Sequence, residues 1–361
     1  MRFAPNLYAV HTQPGFEAIA WDEAAARING AAEVGRRVVP GRAGMLFFSA
    51  PRPDGLKALR TAEDIFAVVG YRRGLPPDRA ALEKVRVAAR EAPYVDAALA
   101  ARVRLFPGSR SGRRLSFRVV ARLTGGDHEF RRVDFQRTVE RGIEESGDHR
   151  WRLAGDDAEV EFWATMLAGE FVLALRLSDD RMRHREYKTE HRPASLRPAV
   201  AAAMALLSEP RDDDIVLDPL CGAGTVLIER AHLGRYCLLL GGDCDPAALA
   251  AARTNVGPRY KPLELVPWDA TELPLREGSV TKIVANLPWG VKSGSHAGNA
   301  RLYPRLLAEF HRVLAAGGAM VLLTSETRLL RELLARDRFR IARVFNVTIL
   351  GAPAAVYVCR R

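Results

Sequence analysis

Short apolar segments alternate with helical segments through residues 199–361, and this alternation constrains the fold more than any other feature. The apolar segments are DIVLD, YCLLLGGD, LELV, TKIVANL and AMVLLT. Strands separated by helices in this way form a parallel sheet, because the chain must cross one face of the sheet between strands. The last two segments, RFRIARVFNVTIL and PAAVYVCR, are joined only by a tight turn. We therefore expect an α/β domain with an antiparallel strand at one edge of its sheet.

A glycine-rich loop follows the first of these strands. In the run DIVLDPLCGAGTVLIE the strand ends at Asp218, and Gly222 and Gly224 precede a helix that we expect to start near Thr225. Glycines let the backbone approach a ligand closely, and ligands of open parallel sheets bind at this end of the strands. Leu227 stands where a dinucleotide loop needs a small residue, which favours a nucleoside ligand without a pyrophosphate. A purely structural turn is the alternative.

Acidic residues follow the second and third predicted strands. Asp243 ends the second strand about 20 residues beyond the glycine loop, the usual position of a ribose ligand. Asp245 precedes Pro246 and is better explained as a helix cap. Asp269, with the adjacent Ala270, follows the third strand and is placed to accept a hydrogen bond from an adenine amino group. A solvated loop acid is an equally good interpretation of Asp269 alone.

The fourth strand runs into the tetrapeptide Asn286-Leu287-Pro288-Trp289. Together with the glycine loop and the second-strand acid, it resembles the class I S-adenosylmethionine-dependent methyltransferases that modify amino groups. The resemblance implies a Rossmann-like catalytic domain with S-adenosylmethionine as cofactor. It also implies that Ser195, in the segment 195–198, covers the cofactor. Leu287 replaces the first proline of the commonest motif, a variant similar to that of guanine-N2 enzymes.

The tetrapeptide suits the chemistry of an exocyclic amine, whose lone pair is delocalised into the base. Two acceptors, the Asn286 side-chain oxygen and a backbone carbonyl in the region of Pro288, would bind the amino hydrogens and favour a pyramidal nitrogen. Asn286 is therefore both a catalytic and a cofactor-binding candidate. Trp289 would stack on an extruded base, worth about 1 to 3 kcal/mol, and a core tryptophan is the alternative. We expect direct methyl transfer without a metal ion or a covalent enzyme intermediate.

The first half of the chain has a different, α+β pattern. LYAVHT and GMLFFSA are strand-like around the helical FEAIAWDEAAARI, and LSFRVVARL and EVEFWATMLAGEFVLALRL are strand-like around VDFQRTVERGIEES. The run from Phe117, FRVVARLTGGDHEFRRVDFQRTVERGIEE, resembles the THUMP module of RNA-modifying enzymes. This resemblance implies a ferredoxin-like domain at 1–76, a THUMP RNA-binding domain at 77–178, a linker at 179–198 and the methyltransferase domain at 199–361.

The charge of the chain favours a nucleic-acid partner. The formal net charge is +11 and the sequence pI is about 9.9, which is typical of nucleic-acid binders. Residues 101–150 carry 12 basic residues against seven acidic ones, although solvated surface arginines are the alternative for any single position. The candidate RNA-binding residues are Arg113, Arg114, Arg131, Arg132, Arg183, Arg185, Lys188 and Lys292.

Other partners are not indicated. The four cysteines show no C-x-x-C spacing, which argues against a zinc site or a disulfide framework. No apolar run approaches the roughly 18 residues of a membrane span, and the start of the chain lacks the apolar core of a secretory signal. We expect a cytoplasmic monomer with tRNA as partner and with no metal or membrane.

These features predict an RNA methyltransferase. The family that the chain most resembles, the tRNA guanosine-6 N2-methyltransferases of bacteria and archaea, implies methylation of the exocyclic N2 of guanosine 6 in the acceptor stem. A guanine-N2 methyltransferase of 23S rRNA is one alternative, and a nonenzymatic RNA-binding protein with a degenerate methyltransferase fold is another. The intact glycine loop, Asp218, Asp243 and tetrapeptide argue against degeneration.

Overall fold

A computed structural model describes residues 3–39, 43–109, 112, 114–147, 149–192, 195–290, 295–336 and 339–361. The chain divides into two units. The first unit contains residues 1–12 and 21–182, and the second contains 13–20 and 183–361. None of the described helices is both long and apolar enough to cross a membrane.

The first half of the chain supplies eight strands and five helices to the described structure. They are β1 (Leu7–Thr12), α1 (Glu17–Arg27), β2 (Ala32–Val39), β3 (Ala43–Ser49), β4 (Asp64–Arg72), α2 (Ala80–Arg90), α3 (Val95–Leu105), β5 (Arg114–Thr124), α4 (Arg132–Glu144), β6 (Arg150–Leu153), β7 (Val160–Leu167), β8 (Glu170–Arg176) and α5 (Asp180–His184). A 3₁₀ turn covers Leu56–Ala58.

One sheet runs through the first unit in the order β2-β3-β1-β4-β8-β7-β5-β6. The domain boundary predicted after residue 76 falls just beyond β4, and β4 pairs antiparallel with β8 across it. One core cluster on this sheet joins Phe47 and Phe66 to Trp163 and Val172. The two predicted N-terminal domains therefore share a sheet and a core, while their ferredoxin-like and THUMP assignments stay predictions.

The second half of the chain supplies alternating strands and helices that end in a hairpin. They are α6 (Pro198–Leu207), β9 (Ile215–Asp218), α7 (Thr225–Ala231), β10 (Leu238–Asp243), α8 (Pro246–Val256), β11 (Leu263–Pro267), β12 (Val280–Asn286), α9 (His296–Val313), β13 (Leu314–Thr324), α10 (Thr327–Arg336), β14 (Arg340–Ile349) and β15 (Ala352–Arg360).

The sheet of the second unit has the order β11-β10-β9-β12-β13-β15-β14. The five strands from β11 to β13 in this order are parallel to one another, as the alternating pattern predicts. β15 is antiparallel to both β13 and β14. The antiparallel strand therefore lies one position inside the edge, which corrects the expectation of an antiparallel edge strand. The reason is that β15 pairs with β13, so its hairpin partner β14 takes the edge.

The second unit also contains a segment from the first part of the chain, residues 13–20. Phe16 and Ile19 are 2% and 1% exposed and belong to the core cluster of this unit. The Thr348 amide in β14 donates a hydrogen bond to the Pro14 carbonyl at 2.9 Å. Gly15 has φ of +95°, and a Cβ there would lie 2.3 Å from the Asn346 carbonyl oxygen. The unit is thus discontinuous in sequence, whereas we expected the catalytic domain to be continuous from residue 199.

A buried arginine organises the loops at the start of β9 and β10. The Arg230 side chain on α7 is 0% exposed and lies 3.1 Å from Asp214 Oδ2. Its guanidinium also donates to the backbone carbonyls of Arg211 at 2.7 Å, Arg235 at 3.2 Å and Gly234 at 3.3 Å. Burial of such a charge is tolerated only when it is paired and hydrogen-bonded, as here.

We expect Arg230→Met to lower the free energy of unfolding by about 3 to 5 kcal/mol, because the variant leaves a buried carboxylate without its main cation. Urea denaturation measures the change. Arg235→Met removes an exposed arginine from the same region and is expected to change stability by less than about 0.5 kcal/mol. Equal stabilities of the two variants would contradict a structural role for the Arg230 guanidinium.

Candidate active site

Polar residues lie at the carboxyl ends of adjacent parallel strands in the second unit. Asp218 ends β9, and Asn286 ends the neighbouring β12, whose Ile283 is in register with Leu217. From β9 the chain continues to β10 and β11 on one side, and β12 lies on the other. This reversal is the topological switch point at which open α/β sheets bind ligands.

The glycine loop between β9 and α7 has one open and one packed glycine. Gly222 has φ of +52°, and a Cβ built there meets nothing within 4 Å. Gly224 has φ of +77°, and its Cβ would touch Ala252 of α8 at 3.4 Å. Both residues adopt the left-handed conformation that favours glycine. The loop therefore leaves open space beside Gly222, while Gly224 allows α8 to pack closely.

The Asp243 carboxylate is fixed against the glycine loop. Its Oδ2 accepts a hydrogen bond from the Gly222 amide at 3.0 Å, and its Oδ1 accepts one from the Asp245 amide at 3.0 Å. Asp245 in turn caps α8 by accepting from the Ala247 amide at 2.8 Å, which confirms its prediction as a cap. A carboxylate oxygen accepts two hydrogen bonds, so Asp243 retains acceptor capacity for a hydroxyl group.

Asp218 is buried beneath the same loop and is only 1% exposed. Its Oδ1 accepts a hydrogen bond from the Leu220 amide at 3.3 Å. Burial, followed by the nearby negative charge of Asp243, raises the pKa of the Asp218 carboxyl to about 8. Burial therefore favours the protonated form of this carboxyl.

Trp268 connects the loop after β11 to the glycine loop, and the sequence analysis missed it. Its indole Nε1 donates to the Pro219 carbonyl at 3.0 Å. A Cβ at Gly242 would lie 2.0 Å from the Trp268 ring, so only glycine fits beneath it. The glycine pair at 241–242 inside a buried strand was the available signal, since glycine in a strand marks close approach of another group.

Asp269 follows Trp268 and faces solvent. Its Oδ1 accepts hydrogen bonds from the Thr271 amide and hydroxyl, both at 2.8 Å. These two hydrogen bonds lower the pKa of the Asp269 carboxyl. The carboxylate is therefore a well-oriented anion, and Oδ2 is the atom left to meet an amino group.

The remaining cofactor candidates differ in exposure. Thr225 and Ala270 are each 5% exposed, so both residues are largely buried. Ser195 is half-buried, and its amide donates to the Arg192 carbonyl at 3.0 Å. Asn255 of α8, which the sequence analysis missed, donates from Nδ2 to the carbonyls of Ala223 at 3.0 Å and Glu190 at 3.1 Å. Asn255 thus ties the glycine loop to the segment before Ser195.

Within the tetrapeptide, the Trp289 indole donates a hydrogen bond to Asn286 Oδ1 at 3.0 Å. This contact fixes the orientation of the Asn286 amide and leaves one lone pair on its oxygen. The Trp289 ring is half-buried and packs against the core of the unit, while Leu287 is 1% exposed. The ring therefore has both a core contact and a partly exposed surface. A core tryptophan and a base-stacking tryptophan were alternatives in the sequence prediction.

The Pro288 carbonyl is already occupied by two side chains of α9. Asn299 Nδ2 donates to it at 2.9 Å, and the Tyr303 hydroxyl donates at 2.6 Å. A carbonyl oxygen has two lone pairs, so both are used. The prediction that the Pro288 carbonyl binds a substrate amine is therefore corrected. The adjacent Leu287 carbonyl makes no hydrogen bond with the described residues.

Two predicted RNA-binding residues of the connector are also corrected. Lys188 is 8% exposed and donates to the Leu196 carbonyl, and burial lowers its pKa to about 8. The Arg185 side chain is 9% exposed and lies 3.7 Å from Glu229. Both side chains are internal because the connector from residue 183 onward is part of the second unit, which the charged sequence did not reveal. Neither is available to a phosphate.

The other RNA-binding candidates fall into three groups. Arg114, Arg131 and Arg132 are exposed. Arg183 is half-buried and has interactions within the protein. Arg113 and Lys292 lie outside the described residues. The exposed arginines of the first unit are thus the ones that stay available to bind phosphates.

The chain is similar to a known domain family and to several known proteins. Residues 185–353 match the RMKL-like methyltransferase domain family. The chain is 32% identical over 261 residues to the tRNA (guanine(6)-N(2))-methyltransferase THUMP3 of Mus musculus, an alignment that covers 68% of this chain and 51% of the mouse protein. It is 23% identical over 279 residues to the tRNA (guanine(6)-N2)-methyltransferase of Methanocaldococcus jannaschii, covering 65% of this chain and 73% of that protein. The chain spans about half the length of the vertebrate relatives that it matches.

Similarity to a solved structure extends over nearly the whole chain. The crystal structure of TrmN from Thermus thermophilus superposes with a TM-score of 0.78 at 26% sequence identity. The match covers 98% of this chain and 99% of that one. The similarity therefore includes the first unit as well as the second.

Asp218→Asn is expected to reduce the dependence of stability on pH. The pKa of Asp218 rises from 3.8 to about 8 on folding, so between these values the folded protein binds more protons than the unfolded chain. Stability therefore falls as the pH rises through this window. Asparagine keeps the shape but does not titrate, so the melting temperature of the variant should fall less from pH 5 to pH 8. Asp212→Asn, at an exposed position, is the control, and identical profiles for wild type and Asp218→Asn would show that Asp218 is ionised throughout.

Proposed function

We propose that this chain transfers a methyl group from S-adenosylmethionine to the exocyclic N2 of a guanosine in tRNA, at position 6 of the acceptor stem. The match of residues 185–353 to the RMKL-like methyltransferase domain family supports the reaction. The names of the mouse and archaeal relatives support this substrate. The observation that carries the proposal is the position of Asn286 at the end of β12, next to β9 and its glycine loop.

The residues around the glycine loop fit S-adenosylmethionine. Open space lies beside Gly222, and the Asp243 carboxylate next to it has acceptor capacity for ribose hydroxyls. The Oδ2 atom of Asp269 is a candidate acceptor for the adenine amino group. Asp218 would be a third acid beside a site that receives an ammonium and a sulfonium group, and these cations would favour its ionised form. When bound, the cofactor supplies an electrophilic methyl group.

The tetrapeptide would bind and orient the guanine amine. Asn286 Oδ1 has one lone pair left beside its bond to Trp289, and the Leu287 carbonyl is the second acceptor in place of Pro288. Two acceptors on the amino hydrogens favour a pyramidal nitrogen whose lone pair faces the methyl group. The exposed part of Trp289 would stack on the extruded base.

The first unit would bind the RNA. We assign residues 1–76 and 77–178 of the chain to ferredoxin-like and THUMP domains, and the similarity to TrmN over nearly the whole chain supports a shared architecture. Arg114, Arg131 and Arg132 are exposed and suit phosphate contacts, which give affinity without reading sequence.

The test is incubation of the purified protein with labelled S-adenosylmethionine and unmodified tRNA or 23S rRNA transcripts, followed by nucleoside analysis. We expect N2-methylguanosine in tRNA, and its loss when guanosine 6 is replaced. Label only in rRNA would favour the ribosomal alternative, and N6-methyladenosine would refute the assignment. RNA binding without any methyl transfer would indicate a nonenzymatic protein.

Asn286→Ala is expected to retain cofactor binding, measured by calorimetry, and to lower kcat about 100-fold or more, because one of the two acceptors is removed. Asn346→Ala replaces an exposed asparagine in β14 and should leave kcat within twofold of the wild type. An Asn286→Ala variant with normal turnover would exclude Asn286 from the mechanism.

A further inference from the structure

Two buried side chains of α9 lie behind the tetrapeptide. Asn299 and Tyr303 are four residues apart on one face of the helix and are 1% and 0% exposed. Both donate to the Pro288 carbonyl, at 2.9 and 2.6 Å. Buried polar groups need hydrogen-bond partners, and the Pro288 carbonyl has two, both on α9.

The direction of the hydrogen bonds around Tyr303 is fixed by the chemistry of the groups. The Pro288 carbonyl can only accept, so the single hydroxyl proton of Tyr303 is donated to it. Thr324 Oγ1, 2.7 Å from the tyrosine oxygen, must then be the donor in that contact. The Thr324 oxygen accepts from the Glu326 amide at 2.9 Å. A one-way chain of hydrogen bonds therefore runs from β13 and the residues after it to the tetrapeptide, and each bond polarises the next.

Asn299 is oriented in the same unambiguous way. Its Nδ2 contacts both the Pro288 carbonyl and Glu326 Oε1, the latter at 3.1 Å. Both partners are acceptors, which excludes the flipped amide. Burial raises the pKa of the Tyr303 hydroxyl well above its ordinary value, so Tyr303 stays protonated as a donor.

The backbone after the tetrapeptide is also held close to this cluster. Gly290 has φ of +76°, and a Cβ there would lie 2.7 Å from Glu326 Oε1 and 2.9 Å from the His296 amide nitrogen. The chain therefore contacts Glu326 and the start of α9 at a distance that only glycine permits. The loop is fixed on both sides of Trp289, by Pro288 and by Gly290.

We propose that Tyr303 and Asn299 are positioning residues for methyl transfer: by holding the Pro288 carbonyl, they set the place of the Asn286 oxygen and the Leu287 carbonyl relative to the methyl donor. This inference rests on the proposed function of the tetrapeptide as the amine-binding loop. Neither side chain touches the substrate in this role. A displacement of about 1 Å in such a loop is enough to lower a rate by about 100-fold.

Tyr303→Phe tests the proposal, with Tyr357→Phe as a matched control. Tyr357 of β15 is also 0% exposed, and its hydroxyl donates to a backbone carbonyl, that of Thr327, at 2.9 Å. Tyr303→Phe loses a buried hydroxyl with two hydrogen bonds, and Tyr357→Phe loses a buried hydroxyl with one. We expect the melting temperature to fall for both variants, and further for Tyr303→Phe. The two differ in whether the lost bond holds the tetrapeptide.

We expect Tyr303→Phe to lower kcat at saturating RNA and S-adenosylmethionine at least tenfold, with cofactor affinity unchanged within twofold. Tyr357→Phe should keep kcat within twofold of wild type. Asn299→Ala, which removes the other bond to Pro288, should lower kcat in the same way as Tyr303→Phe. Thermal melting and calorimetric cofactor binding confirm that each variant is folded before rates are compared.

Equal kcat values for Tyr303→Phe and Tyr357→Phe would overturn the inference, as would a loss of cofactor affinity that accounts for the lower rate. Failure of the proposed function has a different signature, because the wild-type protein would then produce no N2-methylguanosine. If another amine is methylated, the ratio of the two variants' rates on that substrate still tests the positioning role.

Discussion

Parallel pairing of β9 with both β10 and β12 is the constraint on which the candidate site depends. Parallel strands end at the same edge of a sheet, so residues far apart in sequence meet there without any direct signal between them. Asp218, Asp243 and Asn286 each end one of these three strands. The sheet therefore supplies the coarse geometry, and the loops that leave it supply the groups with chemical function.

The loops are held by a second set of side chains, which is almost entirely buried. Trp268 holds Pro219, Asn255 holds Ala223, and Tyr303 holds Pro288, each through a hydrogen bond to a backbone carbonyl. Backbone carbonyls are suitable anchor points because they fix the path of the chain and leave loop side chains free. The precision of the site thus comes from helices and strands behind it, as preorganised sites require.

Sequence reasoning predicted the parallel sheet, the glycine loop and the tetrapeptide because each depends on a local pattern. It could not predict the partners of the Pro288 carbonyl, since Asn299 and Tyr303 lie on the next helix and carry no motif. It also assigned Lys188 to RNA, because a charged connector was assumed to be solvated, whereas tertiary packing buries it. The place of residues 13–20 in the second unit was not predicted for a related reason. The β14 residues that they contact lie at the opposite end of the chain.

The contact of residues 13–20 with β14 affects when the second unit can fold during synthesis of the chain. Phe16 and Ile19 complete a core whose other side includes Val347 and Ile349, so the second unit cannot finish folding until β14 has been synthesised. During translation, Phe16 and Ile19 therefore stay partly exposed until β14 has been added to the chain. Contacts between residues far apart in sequence form slowly, so we expect this part of the core to be among the last to close.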